Sequence, residues 1–252
     1  MSLANHTVVN FMTAKVWTAS SAMPVAEISE RLATREFSAA PVLDDRGSIV
    51  GVVSRADLLH NQRQPEAKRA STCGDLMTQG PLLIEMSAPL RAAAQLMVQH
   101  SVHRLFVVDH GRLVGVLSTT DLTRAVEQAR VMDQLHTIMS SPVATIDVEQ
   151  SVATGAERLD RDHFTGLVVT ENDWPVGVFT QEEAISTRDL PTTVTIGTVL
   201  DPALVCLPAE TALHRAAAQC ARMGVRRIVV SRHRDFIGVV SGLDFARVVA
   251  NS

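Results

Sequence analysis

Gly51-Val52-Val53-Ser54-Arg55-Ala56-Asp57 is written three more times in this chain with small changes. The copies are Gly115-Val116-Leu117-Ser118-Thr119-Thr120-Asp121, Gly177-Val178-Phe179-Thr180-Gln181-Glu182-Glu183 and Gly238-Val239-Val240-Ser241-Gly242-Leu243-Asp244. Their glycines are spaced by 64, 62 and 61 residues, a period that marks a chain assembled from copies of one supersecondary unit. Each copy reads as a short apolar strand ending in a hydroxyl residue, with a carboxylate three positions later at the mouth of a helix. Ser-x-x-Asp and Thr-x-x-Glu are capping boxes by sequence, in which hydroxyl and carboxylate satisfy amides of the first helical turn. The same residues admit a second use. A hydroxyl beside free helix N-terminal amides suits an anion, and the carboxylate can accept hydrogen bonds from a diol such as ribose.

The sequence ahead of each signature is shared as well. In repeat 1, Val25, Ile28 and Leu32 recur at helical spacing, with Glu27, Glu30 and Arg31 off that face. A strand follows at Pro41-Val42-Leu43, then the turn Asp44-Asp45-Arg46-Gly47, then a second arm over 49–53. Repeat 2 places Leu90, Ala93, Ala94 and Met97 on one helical face, turns at Asp109-His110-Gly111-Arg112, and begins after Ser118 a helix expected to run well past Ala125. Repeat 3 has a helical pattern over 152–159 and a turn at Glu171-Asn172-Asp173-Trp174-Pro175, while repeat 4 aligns Leu213, Ala216, Ala217 and Cys220. The units open on Met12-Thr13, Met77-Thr78, Met139-Ser140 and Val199-Leu200. The pattern predicts an α+β chain of four tandem β-α-β-β-α repeats over 8–60, 72–130, 135–187 and 194–250, with the proline-containing stretch 61–69 as a linker.

Composition narrows the function classes. A repeat of this size is marginal as an independent core, so the repeats are expected to pack in pairs. Lys and Arg number 23 against 27 Asp and Glu, for a formal charge of −4; no basic block stands out, which argues against a nucleic acid polymer or an anionic membrane as partner. Cys73, Cys206 and Cys220 fit neither a disulfide framework nor a zinc set, and the nine histidines are dispersed, with His136 and His163 lacking a partner at metal-ligand spacing. No apolar run is long enough to span a bilayer and the N-terminus lacks a signal-peptide plan, so a reducing cytoplasm is the simplest compartment. There is no P-loop, Gly-x-Gly-x-x-Gly, His-Glu-x-x-His or Gly-x-Ser-x-Gly. The expectation is a protein that is not an enzyme and requires no cofactor or metal. Met77, Met97, Met132, Met139 and Met223 are read as core fillers, and Trp17 as a packing residue rather than a base-stacking one.

A strand-helix-hairpin-helix unit that opens on a Met-Thr-like pair and closes on Gly-h-h-Ser/Thr-x-x-Asp resembles the CBS domain, named for cystathionine β-synthase. The resemblance covers residues 8–249 and is weakest in repeat 3, where Glu183 replaces the aspartate. It implies that repeats pair into two Bateman modules, 1 with 2 and 3 with 4, which in this family commonly form a flat disc. One chain could build that disc, and a homodimer stays open beside it. It also implies a cleft that binds an adenine nucleotide. There the signature aspartate takes the ribose hydroxyls, while basic residues before the hairpin and a hydroxyl from the partner repeat's first strand hold phosphate.

Carried over by position, these roles separate the repeats. Ahead of the hairpins stand His103-Arg104 in repeat 2 and Arg226-Arg227 in repeat 4, against Ser38-Ala39 in repeat 1 and Thr165-Gly166 in repeat 3. Thr18 and Thr145 supply the partner hydroxyl where repeats 2 and 4 have Leu83 and Cys206. Two complete sets result: Asp121, Ser118, His103 and Arg104 with Thr18, Ser38 and Ala39; and Asp244, Ser241, Arg226 and Arg227 with Thr145, Thr165 and Gly166. Asp57 and Ser54 form a weaker third candidate, and the site on Thr180 and Glu183 is expected to be empty or altered. The function implied is a non-catalytic regulatory module sensing AMP, ADP or ATP and acting on an effector protein not contained in this chain. The alternatives are a structural association module with vestigial clefts, or a binder of another adenosyl ligand such as S-adenosylmethionine.

Overall fold

The structure is a computed structural model that describes residues 3–33, 37–233 and 235–252. In repeat 1 the chain forms β1 (Thr13–Ala14), β2 (Ala19–Ser20), α1 (Val25–Leu32), β3 (Ala39–Leu43), β4 (Ile49–Ser54) and α2 (Arg55–Arg63). Repeat 2 follows with α3 (Cys73–Leu76), β5 (Thr78–Gln79), β6 (Leu83–Glu85), α4 (Leu90–Gln99), β7 (Arg104–Asp109), β8 (Arg112–Ser118) and α5 (Thr119–Gln128). Repeat 3 contributes β9 (Thr145–Asp147), α6 (Val152–Arg161), β10 (Gly166–Glu171), β11 (Trp174–Thr180) and α7 (Gln181–Ser186). Repeat 4 adds α8 (Ile196–Val199), β12 (Cys206–Pro208), α9 (Leu213–Met223), β13 (Arg227–Arg232), β14 (Asp235–Ser241) and α10 (Gly242–Ala250). No helix among the described residues is long and apolar enough to cross a membrane.

The hairpin turns of repeats 1 and 3 follow from their residues. In repeat 1 the Asp44 carboxylate accepts from the amides of Arg46 and Ser48 at 2.9 and 2.8 Å, and Gly47 takes a φ of +80°, as the turn reading requires. Asn172 and Asp173 both have positive φ, the conformation of a tight two-residue hairpin whose twist matches its strands.

Two compact units emerge, and each joins alternate repeats. The first contains residues 1–16, 82–143 and 204–252, the second residues 17–81 and 144–203. In the first, the predicted faces of α4 (Leu90, Ala93, Ala94, Met97) and α9 (Leu213, Ala216, Ala217, Cys220) are buried. α10 packs on α4 and α5, and α5 packs on α9. Alanines at these contacts let helix backbones approach while Phe245, Leu122 and Val249 fill the remaining space. In the second unit, Ile28 and Leu32 of α1, Leu58 and Leu59 of α2, Leu159 of α6 and Phe179 of β11 belong to one buried core.

Each repeat lends its opening residues to a neighbour. β1 pairs with β8 of repeat 2, and β5 pairs with β4 of repeat 1. Ser140 bridges to Val239 of repeat 4, and Leu200 packs over Gly177 of repeat 3. This exchange explains the signature glycine. A Cβ at Gly51 or Gly238 would lie 2.5 Å from the sulfur of Met77 or Met139, and one at Gly177 would lie 2.8 Å from Leu200.

Three sequence expectations are corrected. Met132 and Met223 are 71% and 59% exposed. Met132 follows the end of α5, and Met223 is the last residue of α9 before the left-handed Gly224 cap, off the buried face. The helix after Ser118 stops at Gln128, because Arg130 turns to positive φ.

Candidate functional site

The four signatures adopt one local geometry. The hydroxyl residue ends its strand in extended conformation and caps the helix that follows, as residue order demands. The carboxylate three residues on turns back to the cap. Asp57 Oδ2 accepts from the Ser54 amide and hydroxyl at 2.7 and 2.6 Å. Asp121 Oδ2 does the same for Ser118 at 2.8 and 2.7 Å, and Asp244 Oδ2 for Ser241 at 2.7 and 2.8 Å. Glu183 reaches the Thr180 amide at 2.8 Å and its hydroxyl as well, so the longer side chain completes the same cap. Capping is thus realised in all four repeats, including those whose residues suggest a ligand.

The second carboxylate oxygen distinguishes them. Asp57 Oδ1 accepts from the Thr78 hydroxyl at 3.1 Å. Asp121 Oδ1 pairs with Arg124 at 3.1 Å. Asp244 Oδ1 pairs with Arg247 and also accepts from Ser140 at 3.4 Å. Asp121 and Asp244 are only 7% and 2% exposed, whereas the side chains of Arg124 and Arg247 are about half exposed. Arg124 also donates to the Phe11 carbonyl at 2.8 Å. Sequence reasoning missed Arg124, Arg247, Thr78 and Ser140. An Asp-x-x-Arg spacing within a helix and a hydroxyl after each opening methionine were the available signals.

The strand register confirms which residues share a hairpin end. Arg104 lies opposite Ser118 and Arg227 opposite Ser241. The small pairs occupy the same place in their own repeats, with Ala39 opposite Ser54 and Gly166 opposite Thr180. Ser38 accepts the Arg55 amide at 3.0 Å on its carbonyl, and Thr165 precedes β10. Thr18 immediately precedes β2, and Thr145 opens β9. The first unit thus holds Asp121, Ser118, His103, Arg104, Asp244, Ser241, Arg226 and Arg227. The second holds Thr18, Ser38, Ala39, Thr145, Thr165, Gly166, Asp57 and Ser54. Asp57, the weaker third candidate by sequence, lines an open cavity of about 250 Å³ with His60, Leu76, Asp160 and His163. Trp17 packs as expected, stacked on Phe37 with ring centroids 5.4 Å apart.

His103 is held neutral. Burial, then Arg227, Arg104 and Arg226, push its pKa from the ordinary 6.5 down to about 4. The unfolded chain consequently takes up this proton first on acidification. The stability tied to neutral His103 is full above pH 6.5 and is lost as the pH falls from there toward 4. His103→Gln should flatten that acid limb, with a smaller fall in melting temperature between pH 7 and pH 5 than in the parent. An identical fall in both proteins would refute the assignment.

With this geometry in place, comparison with known proteins is informative. A family model for the CBS domain matches residues 8–63, 73–128 and 135–188. The chain belongs to the CBS domain family. Repeat 4 lies outside those matches although its sheet, α9 and α10 copy the plan of the others, and repeat 3, read as the weakest by sequence, lies inside them. The fold is that of protein MJ1225 from Methanocaldococcus jannaschii, with a TM-score of 0.85, 14% identity and coverage of 96% of this chain and 99% of that one. The CBS domain-containing protein CBSX2 of Arabidopsis thaliana is 30% identical over 155 residues, half of this chain and 65% of that protein. A homoserine O-acetyltransferase from Methanocorpusculum labreanum is 32% identical over 113 residues, 44% of this chain and 23% of that enzyme. The chain spans less than two thirds of these two relatives. CBS proteins are in general regulatory, and the enzyme name belongs to a protein of which this chain matches under a quarter.

Proposed function

We propose that this chain is a non-catalytic regulatory module that binds an adenine nucleotide, AMP, ADP or ATP, at two sites built on Ser118/Asp121 and Ser241/Asp244. One observation carries the reading. In both repeats a buried carboxylate turns its second oxygen to a half-exposed arginine, Arg124 in one and Arg247 beside Ser140 in the other, while a basic pair stands across the hairpin. The carboxylate suits a ribose diol and the basic pair a phosphate. Thr18, Ser38, Ala39, Thr145, Thr165 and Gly166 belong to the second unit, and the two sites proposed here are built from the first unit's residues. The exchanged opening segments support pairing repeat 1 with 2 and repeat 3 with 4. CBSX2 has been crystallised with AMP, which fits an adenosyl ligand for a relative at this identity.

A second reading, an association module with vestigial clefts, draws on the saturation of both aspartates by their caps and arginines. Ligand-induced stabilisation separates the two. A nucleotide at a hundred times its dissociation constant adds about 2.7 kcal/mol, so AMP, ADP or ATP should raise the melting temperature. Asp244→Ala should weaken AMP about tenfold to a hundredfold at one site, the loss expected for a charge-assisted hydrogen bond, and leave the other site in place. Calorimetric titrations that are the same for Asp244→Ala and the parent, or no thermal shift with any adenine nucleotide at millimolar concentration, favour the scaffold.

A further inference from the structure

In the first unit the signature aspartates pair with an arginine three residues on, and in repeat 2 that arginine fills a definite place. Arg124 pairs with Asp121 Oδ1 at 3.1 Å, donates to the Phe11 carbonyl at 2.8 Å and lies over the Phe11 ring, 5.9 Å from its centroid. Arg247 pairs with Asp244 in the same i,i+3 relation. Repeat 1 offers a counterpart for each of these groups. Asp57 corresponds to Asp121, and Leu76, before Met77-Thr78, corresponds to Phe11, before Met12-Thr13. Strand register agrees, with Thr13 opposite Val116 and Thr78 opposite Val52. The counterpart of Arg124 is His60, whereas repeat 3 departs at both positions with Glu183 and Ser186.

His60 does not take the arginine's place. Its Nδ1 lies 3.2 Å from Asp160 Oδ1, and the Gln64 amide donates to its Nε2 at 3.0 Å, so Nδ1 carries the proton given to Asp160. Asp160 Oδ2 is also paired, with Arg63 at 3.2 Å. Asp57 Oδ1 accepts from the Thr78 hydroxyl, and no cation among the described residues pairs with Asp57. Beside it opens the cavity of about 250 Å³, lined by Ala56, Asp57, His60, Leu76, Asp160 and His163, all within the second unit. The counterparts of Asp121, Phe11 and Arg124 thus border one cavity. Repeat 2 fills that place with its own arginine, and repeat 1 leaves it open.

We propose that this cavity binds a guanidinium group from outside the chain, either a free alkylguanidinium or the arginine side chain of another protein. The proposal does not rest on the nucleotide reading, whose sites are built on Asp121 and Asp244. A planar guanidinium matches a carboxylate in charge and geometry, and its alkyl stem can lie along Ala56 and Leu76. The volume is below the roughly 300–1,000 Å³ of pockets for drug-sized ligands, which suits a group the size of a side chain. The His and Asp side chains do not converge as a set of three metal ligands among the described residues, so an organic cation fits the lining better than a metal ion.

The test is calorimetric titration of the full chain at pH 8 with N-acetyl-arginine amide, methylguanidinium and, as a control, N-acetyl-lysine amide. The expected result is one equivalent of the capped arginine bound, with the capped lysine at least about tenfold weaker. Asp57→Asn, which can still cap α2, should weaken binding about tenfold to a hundredfold. His60→Arg recreates the arrangement of repeat 2, so it should abolish binding while the melting temperature stays at or above that of the parent. His60→Gln should bind as the parent does. Methylguanidinium as tight as the capped arginine supports a free small molecule as the source, and a capped arginine about tenfold tighter supports a protein side chain. No heat from either guanidinium at millimolar concentration, in a protein that melts normally, would overturn the proposal. So would binding that survives both Asp57→Asn and His60→Arg, or AMP binding that Asp57→Asn abolishes in a chain that ignores both guanidinium compounds. Failure of AMP to bind at Asp121 and Asp244 sinks the nucleotide reading and leaves this site standing.

Discussion

Arg55→Ala should destabilise the protein by about 3–5 kcal/mol, the range found when one member of a buried ion pair is removed. Arg55 is the first residue of α2, where the other repeats have Thr119, Gln181 and Gly242. Its guanidinium donates to the carbonyls of Leu32 at 2.7 Å and Phe37 at 3.3 Å and pairs with Glu182 at 2.7 Å, the two side chains being 5% and 17% exposed. Alanine leaves the Glu182 carboxylate in a poorly solvated place and deprives two carbonyls of their donor. At roughly 2–4 °C per kcal/mol for a chain of this size, the melting temperature should fall by about 6–20 °C. Pairing Arg55→Met with Glu182→Leu should restore part of the loss suffered by Arg55→Met alone, because the stranded charge is gone. A melting temperature for Arg55→Ala within a degree of the parent would show that the pair contributes nothing.

Phe179→Ala should cost a similar amount, about 3–5 kcal/mol for a fully buried ring. Its neighbour sharpens the test. A Cβ on Gly155 of α6 would lie 2.6 Å from the Phe179 ring and 3.1 Å from Ile196, so the helix carries glycine to make room for that ring. Gly155→Ala should destabilise the parent. In the Phe179→Ala background the same change should stabilise, because it partly refills the void and alanine favours a helix interior over glycine by about 1 kcal/mol. Chemical denaturation of the four proteins in this cycle reads the sign directly. Equal effects of Gly155→Ala in both backgrounds would mean that ring and glycine are not coupled.

Local rules made much of the fold legible. Leu90, Ala93, Ala94 and Met97 lie on one face because helical periodicity is written in consecutive residues, and Asp44 with Gly47 announces its turn by side-chain chemistry. The capping boxes were equally readable. The exchange of opening segments was not, since β1 and β5 are two-residue strands with no periodicity of their own and their partners lie far away in sequence. For the same reason the signature glycines could be counted but not explained until Met77 and Met139 were found against them. At the candidate site, the alternation of basic and small pairs was visible in the repeats. That the starts of α5 and α10 meet, with Gly242 against Thr119, follows from helix packing between repeats 2 and 4, which no local pattern encodes. Met132 and Met223 show the opposite failure, where residue type suggested burial and a place beyond α5 or at the last residue of α9 denied it.

The interleaving of the two units bears on how the molecule is made. Each is composed of separated stretches, so the chain passes between them four times, at 16/17, 81/82, 143/144 and 203/204. Contacts of such long sequence separation form slowly. During synthesis from the N-terminus, the apolar face of α4 emerges long before Phe245, Ala246 and Val249 of α10 exist to cover it. The first unit is completed only when the final stretch, 204–252, has left the ribosome. Its assembly is therefore a late, concerted event, and a nascent chain halted in the third repeat would present α4 and α5 as an uncovered hydrophobic surface.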